Sequence, residues 1–374
     1  MDTQALKESW RAVALSGDQV PLFFYSALFL MHPETRDLFP VSMAGQRDRL
    51  VRALGHAVSS VDRLDELVPF LQQLGRDHRK FAVVAGHYPA VGEALLATLA
   101  HFLGDRWTPE LAQSWTEAYG VISEAMIGAA TDASRTTPPW WEGEIIAHEP
   151  RALGIAVIRA RLNYPYPFRA GQSASISLGM RSRLWRYYSM ANAPRQDNTV
   201  DLHVRVVDGG TVSTTLVHGA RVGDVLRIGA PVGDRLTLDG RMPGDLLLIA
   251  GGTGAAPLKA LVEQVAYEGP QRRVHLVVGA RRSRELYDLD ALSKLEAVHP
   301  WLTVTPAVSH DPLYQGDQGY AVDVALRSGW RGEEVFVCGS EPMVQASVAR
   351  LVDAGVPSEQ IHFDEFTSDR GRES

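Results

Sequence analysis

Leu246-Leu247-Leu248-Ile249-Ala250-Gly251-Gly252-Thr253-Gly254-Ala255-Ala256-Pro257 is an apolar run of buried-strand length, then a glycine turn, then the opening of a helix-like stretch. Val274-His275-Leu276-Val277-Val278 and Val335-Phe336-Val337 repeat the apolar run downstream, and helix-like sequence follows each. Strand, turn and helix in alternation predict a mostly parallel sheet from residue 243 onwards. Glycines at the end of a parallel strand let the backbone come close to a dinucleotide. Pro257 stands where the last glycine of a full Gly-x-Gly-x-x-Gly pattern would be, so this is a variant of that turn. Cys338-Gly339-Ser340-Glu341-Pro342-Met343 also follows a strand and opens a helix. Cys338 reads equally well as a small buried apolar residue.

Upstream, the period changes. Ala156-Val157-Ile158, Ala174-Ser175-Ile176-Ser177-Leu178 and Val200-Asp201-Leu202-His203-Val204-Arg205-Val206 are short, β-rich and separated by Gly and Pro turns. They predict a small antiparallel barrel. Arg186-Tyr187-Tyr188-Ser189 belongs to this series, and strand alternation puts Arg186 and Tyr188 on one face, Tyr187 and Ser189 on the other. A guanidinium donates in a fixed fork that suits a pyrophosphate. Read alone, the segment is an edge strand with alternating polar residues. Gly209-Gly210-Thr211-Val212-Ser213-Thr214 is a glycine turn into a helix start, where free N–H groups attract phosphate.

Residues 1 to about 132 carry apolar side chains at spacings of three and four, as in Leu22, Tyr25, Phe29 and in Leu95, Leu99, Phe102. His32-Pro33-Glu34 marks a break, and Thr108-Pro109-Glu110 a new helix start. Thr136-Thr137-Pro138-Pro139-Trp140-Trp141 is a proline-rich joint. The expected architecture is therefore multidomain: an all-α domain over 1–135, an antiparallel β-barrel over 136–242 and an α/β parallel-sheet domain over 243–374. A chain of 374 residues is long enough for several cores. A net charge of −7 argues against a nucleic-acid partner. The basic residues are mostly Arg, are scattered, and read as solvated surface. A single cysteine excludes an internal disulfide and fits a reducing cytosol. No signal-peptide pattern opens the chain, and no apolar run reaches the ~18 residues of a membrane span, so a cytoplasmic setting is expected.

The ordered set Arg186 to Ser189, Gly251 to Pro257 and Cys338 to Met343 resembles the ferredoxin-NADP reductase superfamily. That resemblance implies FAD held by Arg186, Tyr188, Ser189, Gly210, Thr211, Val212 and Ser213. It implies NADH or NADPH held by Gly251, Gly252, Thr253, Gly254, Pro257, Cys338 and Gly339, with Phe366 covering the flavin. Arg281, Arg282, Ser283 and Arg284 follow the second strand, where either a 2′-phosphate site or a solvated turn can lie.

The helical region resembles the globin of the flavohaemoglobins, and the fusion extends that resemblance over nearly the whole chain. Leu71, Leu74 and His78 share one helix face, and the resemblance makes His78 the axial ligand of haem b. It assigns the distal pocket to Tyr25, Gln46 and Leu50, the packing on haem to Phe39, and a hydroxyl bonded to the proximal histidine to Tyr88. A gap-free register puts Ala130 where the family has a proximal glutamate. The implied activity is nitric oxide dioxygenation, with dioxygen and nitric oxide as substrates and no obligate protein partner. The alternatives are an NAD(P)H-dependent reductase of another acceptor, or a redox or oxygen sensor.

Overall fold

The computed structural model describes residues 1–366 apart from 153, 180–183, 239–241, 243 and 270–271, and leaves the side chains of 328, 365 and 366 undescribed. The Phe366 side chain, assigned above to the flavin face, thus lies outside the described residues. The chain divides into two compact units between Trp140 and Trp141, inside the proline-rich segment.

The first unit realises the three-and-four periodicity as helices α1 (Thr3–Ala14), α2 (Gln19–Met31), α3 (Ala44–Ser59), α4 (Leu64–His78), α5 (Tyr88–Leu103) and α6 (Pro109–Ser134). Their boundaries follow from local chemistry. The Asp2 carboxylate accepts the N–H groups of Gln4 and Ala5, and the Thr108 hydroxyl accepts that of Leu111 ahead of Pro109. Pro33 stops the helical run and opens a 3-10 turn, Pro33–Leu38. Two apolar clusters form. One joins Leu6, Trp10, Phe24, Leu28, Leu99 and Trp115; the other joins Ala57, Leu67, Leu71, Tyr88 and Met126. Helices α4 and α6 meet closely at Gly75, where a Cβ would stand 2.2 Å from the Met126 carbonyl oxygen.

The second unit opens with β1 (Trp141–Ala152), β2 (Ile155–Leu162), β3 (Ser173–Leu178), β4 (Arg186–Ser189), β5 (Thr199–Arg205) and β6 (Val225–Val232). These form one sheet in the order β4-β3-β6-β1-β2-β5, with antiparallel pairing throughout. A bridge from Met190 to Leu202 joins its two outer strands, as the expected barrel requires. A short helix, α7 (Thr211–Thr214), sits between β5 and β6.

After it come β7 (Leu246–Gly251), α8 (Ala255–Glu268), β8 (Val274–Ala280), α9 (Leu289–Val298), β9 (Leu302–Val308), β10 (Asp317–Gln318), α10 (Ala321–Ala325), β11 (Glu334–Ser340), α11 (Glu341–Asp353) and β12 (Ile361–Phe366). The sheet order is β10-β9-β8-β7-β11-β12, all parallel. Strand β7 thus has β8 on one side and the much later β11 on the other. Such a reversal opens a crevice at the carboxyl ends of the two strands. Among the described residues no single helix is long and apolar enough to cross a membrane.

Candidate functional site

His78 closes α4, and its Nδ1 lies 2.7 Å from the Leu74 carbonyl oxygen one turn earlier. A carbonyl only accepts, so Nδ1 carries the proton and Nε2 keeps its lone pair. Burial lowers the imidazole pKa below its ordinary value, against the opposing effect of the Leu74 bond. A neutral ring with a lone pair on Nε2 is what an iron ligand requires. Tyr88 does not supply the second bond that the family resemblance implied, because Leu74 occupies Nδ1. The Tyr88 side chain is buried instead, and its backbone carbonyl accepts the Tyr119 hydroxyl at 2.6 Å. The helix itself holds the carbonyl four residues back beside the ring, so Leu74 competes for the one Nδ1 proton.

Helices α2 and α3 bring Tyr25 and Gln46 together. The Tyr25 hydroxyl donates to the Gln46 backbone carbonyl at 3.4 Å, and burial pushes the phenol up to about 12. Phe39 packs edge-on against Tyr25 with ring centroids 5.4 Å apart, and Leu50 adds to the same cluster.

The residues present fit a haem. Phe39, Leu50 and Leu54, which pack against the first apolar cluster, and Leu74 and Val83, which pack against the second, are only half-buried, as is Phe81 beside the His78 ring. Apolar side chains left half-covered beside an imidazole with a lone pair suit a flat, apolar, metal-bearing ligand.

In the barrel, β4 places Arg186, Tyr188 and Ser189 as the alternation predicts. The Ser189 hydroxyl lies 3.2 Å from that of Ser173, Tyr188 packs against the barrel core, and Arg186 donates to the Trp185 carbonyl at 2.8 Å. At the glycine turn Gly209 has φ +75° and Gly210 caps α7. The Ser213 hydroxyl is committed to the turn itself, accepting from Val207 N–H and donating to Gly210. This leaves the backbone N–H groups of Thr211 and Val212 at the helix start for a phosphate.

The two glycine segments of the parallel sheet meet at its reversal. A Cβ on Gly254 would stand 2.1 Å from the Cys338 carbonyl oxygen, and one on Gly339 would stand 3.3 Å from Gly251 Cα. Gly252 adopts φ +55°, which favours glycine, and Pro257 is buried in the first turn of α8. Cys338 is fully buried in β11, and its backbone rather than its thiol abuts the glycine turn. Arg282, Ser283 and Arg284 line a surface pocket of about 380 Å³ with His310, Asp311 and Pro312, and Asp311 accepts the Ser283 hydroxyl at 2.7 Å.

The expectation that the arginines are solvated fails at several positions. Arg195, only 17% exposed, bonds Asp201 and Glu263 of α8, each at 3.0 Å, whereas Arg159 bonds Asp201 at 2.6 Å and stays exposed to solvent. Burial works to raise the Asp201 pKa, yet these guanidiniums hold it below the usual carboxylate range. Arg205 comes within 3.5 Å of the Cβ position on Gly252. Arg49 bonds the Gln46 side chain. Only its helical spacing of three from Gln46 marks that contact in sequence.

Three family models match in order: Globin over residues 22–126, Oxidoreductase FAD-binding domain over 145–235 and Oxidoreductase NAD-binding domain over 248–349. A flavohemoprotein of Bacillus subtilis (strain 168) is 27% identical over 97% of this chain and 96% of its own. The reductase component of phenol 2-monooxygenase from Pseudomonas sp. (strain CF600) is 32% identical over 66% of this chain and 71% of its own. The crystal structure of a Malassezia yamatoensis flavohemoglobin with bound FAD and heme shares the fold, with a TM-score of 0.76 at 20% identity over 98% of each chain. A globin, a barrel and a parallel sheet in one polypeptide thus find counterparts in a single group of proteins. The chain belongs to the flavohaemoglobin family, with haem, FAD and a nicotinamide dinucleotide as its cofactors.

Proposed function

We propose that this flavohaemoglobin is a nitric oxide dioxygenase, drawing electrons from NAD(P)H through FAD to haem. The observation that carries the reading is the meeting of Tyr25 and Gln46 in a unit that also presents His78 with Nε2 unprotonated. Two molecules of nitric oxide and two of dioxygen take up the two electrons of one hydride equivalent. They yield two nitrates, with one proton released. Haem, when bound, would supply a redox-active iron that exchanges one electron at a time.

The chain's own residues do the rest. His78 Nε2 would hold the iron, and the Leu74 carbonyl fixes the tautomer that leaves it free to do so. Tyr25 keeps its proton at neutral pH, and its hydroxyl would turn from the long 3.4 Å contact with the Gln46 carbonyl to donate, with the Gln46 NH2, to a small ligand in the pocket. Phe39 would pack against the haem, and Leu50 would help to keep the site dry. Arg186 and the N–H groups of Thr211 and Val212 take the flavin diphosphate, Tyr188 and Ser189 orient the ring system, and the Gly251–Gly254 turn with Gly339 seats the dinucleotide. The haem domain is taken as 1–135, the FAD domain as 136–242 and the nicotinamide domain as 243–374, working in the cytoplasm where NAD(P)H is available.

Ala130 favours a second reading, in which haem relays electrons to another acceptor. Without a carboxylate behind His78 the ligand donates less to iron. One assay separates them: rapid NADH-dependent loss of nitric oxide under air, with nitrate formed in equal amount, supports the dioxygenase. NADH oxidation that nitric oxide leaves unchanged sinks it.

A further inference from the structure

Arg49 stands three residues after Gln46 on α3 and is half-buried. Its Nε and Nη2 both donate to Gln46 Oε1, at 3.2 and 2.9 Å. A guanidinium has no acceptor, so the amide must turn its oxygen toward Arg49 and its NH2 away. This follows from the partner's chemistry, however alike the two amide ends are in shape. The Arg49 charge is also felt at Tyr25. Burial raises that phenol, while Gln46 and then Arg49 act to lower it, as a nearby donor and a cation do. The α2–α3 side of the pocket therefore gathers a phenol hydroxyl, an amide held by its oxygen and a positive charge.

We infer that Arg49 is a positioning residue that sets the ligand class of the haem pocket. By pinning Gln46 it keeps the NH2 group presented, and so favours small inorganic anions at the sixth position over neutral ligands. An unpinned glutamine samples both amide orientations, and in one of them its carbonyl repels an anion. A pinned one needs no reorganisation when the ligand arrives. The inference rests on the reading that His78 holds haem.

The test uses the full-length, haem-loaded protein with azide as the anionic probe of ferric haem and carbon monoxide as the neutral probe of chemically reduced haem. Arg49→Met is expected to weaken azide binding about tenfold, equivalent to about 1.4 kcal/mol, and to leave carbon monoxide affinity within about twofold. Arg49→Lys keeps the charge without the fork and should fall between the parent and Arg49→Met. Because Arg49 acts through Gln46, Arg49→Met should add nothing further to the azide loss in a Gln46→Leu background. Unchanged azide affinity, parallel losses for azide and carbon monoxide, or additive losses in the double variant each overturn the assignment. Should Arg49→Met fail to retain haem, Arg49→Lys against the parent decides the matter, and equal azide affinity in the two overturns it. Absence of a Soret band from the parent protein would instead remove the haem reading on which the inference stands.

Discussion

The Nδ1 atom of His78 is hydrogen-bonded to the Leu74 carbonyl at 2.7 Å, so a bond within α4 fixes the imidazole tautomer. That bond makes His78 the ligand candidate. His78→Ala is expected to abolish the Soret band and to leave flavin absorbance intact. A Soret band of parental intensity in the variant would mean that a different histidine binds haem.

Ala130 lies one helical turn beyond Met126, the residue whose carbonyl faces Gly75 of α4. Ala130→Glu is expected to place a carboxylate near the His78 ring and to raise the iron–histidine stretching frequency of ferrous haem. It also costs stability, since Ala130 is half-buried and a carboxyl placed there loses part of its hydration. Resonance Raman spectroscopy on folded, haem-loaded variant checks this. An unchanged frequency would show that Ala130 does not face His78.

Gly254→Ala forces a Cβ to within 2.1 Å of the Cys338 carbonyl oxygen and 2.8 Å of the Gly339 backbone nitrogen. Backbone cannot move aside as a flexible side chain can, so the start of α8 must separate from β11. A loss of about 1–3 kcal/mol of stability is expected, together with a raised KM for NADH and unchanged carbon monoxide binding to chemically reduced haem. Gly128→Ala is the contrast, because its Cβ meets nothing within 4 Å in α6. There a helix interior gains about 0.5–1 kcal/mol from alanine. Flavin fluorescence for the first and haem absorbance for the second, followed through thermal unfolding, would report both; a Gly254→Ala protein as stable as its parent contradicts the packing argument.

His203 is buried, bonded at Nδ1 to the Tyr287 hydroxyl at 2.7 Å, and its pKa falls to about 3, chiefly through burial and then through the Lys259 charge. The unfolded chain binds a proton at this residue near its ordinary pKa of 6.5, and the folded chain binds it only near 3. Stability from this group is therefore complete above about pH 6.5 and is lost as pH falls toward 3, with a limiting slope of about 1.4 kcal/mol per pH unit. His203→Gln should remove one proton's share of that slope. Urea unfolding at several pH values, read by flavin fluorescence, measures it, and equal slopes for the two proteins would place the acid sensitivity elsewhere.

What was legible in sequence is what short-range chemistry controls. The Leu246–Pro257 stretch is a strand, a glycine turn and a helix because side-chain period and turn residues act over a few positions. Pro33 and Thr108-Pro109 set helix limits for the same reason. The pairing of β7 with both β8 and β11 is different. It brings Gly254 against Cys338 across a long separation in the chain, and no local signal specifies which strands become neighbours. The Arg195–Glu263 bond, which ties the barrel to α8, is likewise a product of assembly. At the haem site the residue types were readable from the family resemblance, whereas the partners were not. Leu74 rather than Tyr88 holds Nδ1, and Arg49, which reads as one more scattered surface arginine, pins Gln46. A side chain's hydrogen-bond partner depends on competition among all groups within reach in three dimensions, and only the folded chain decides that competition.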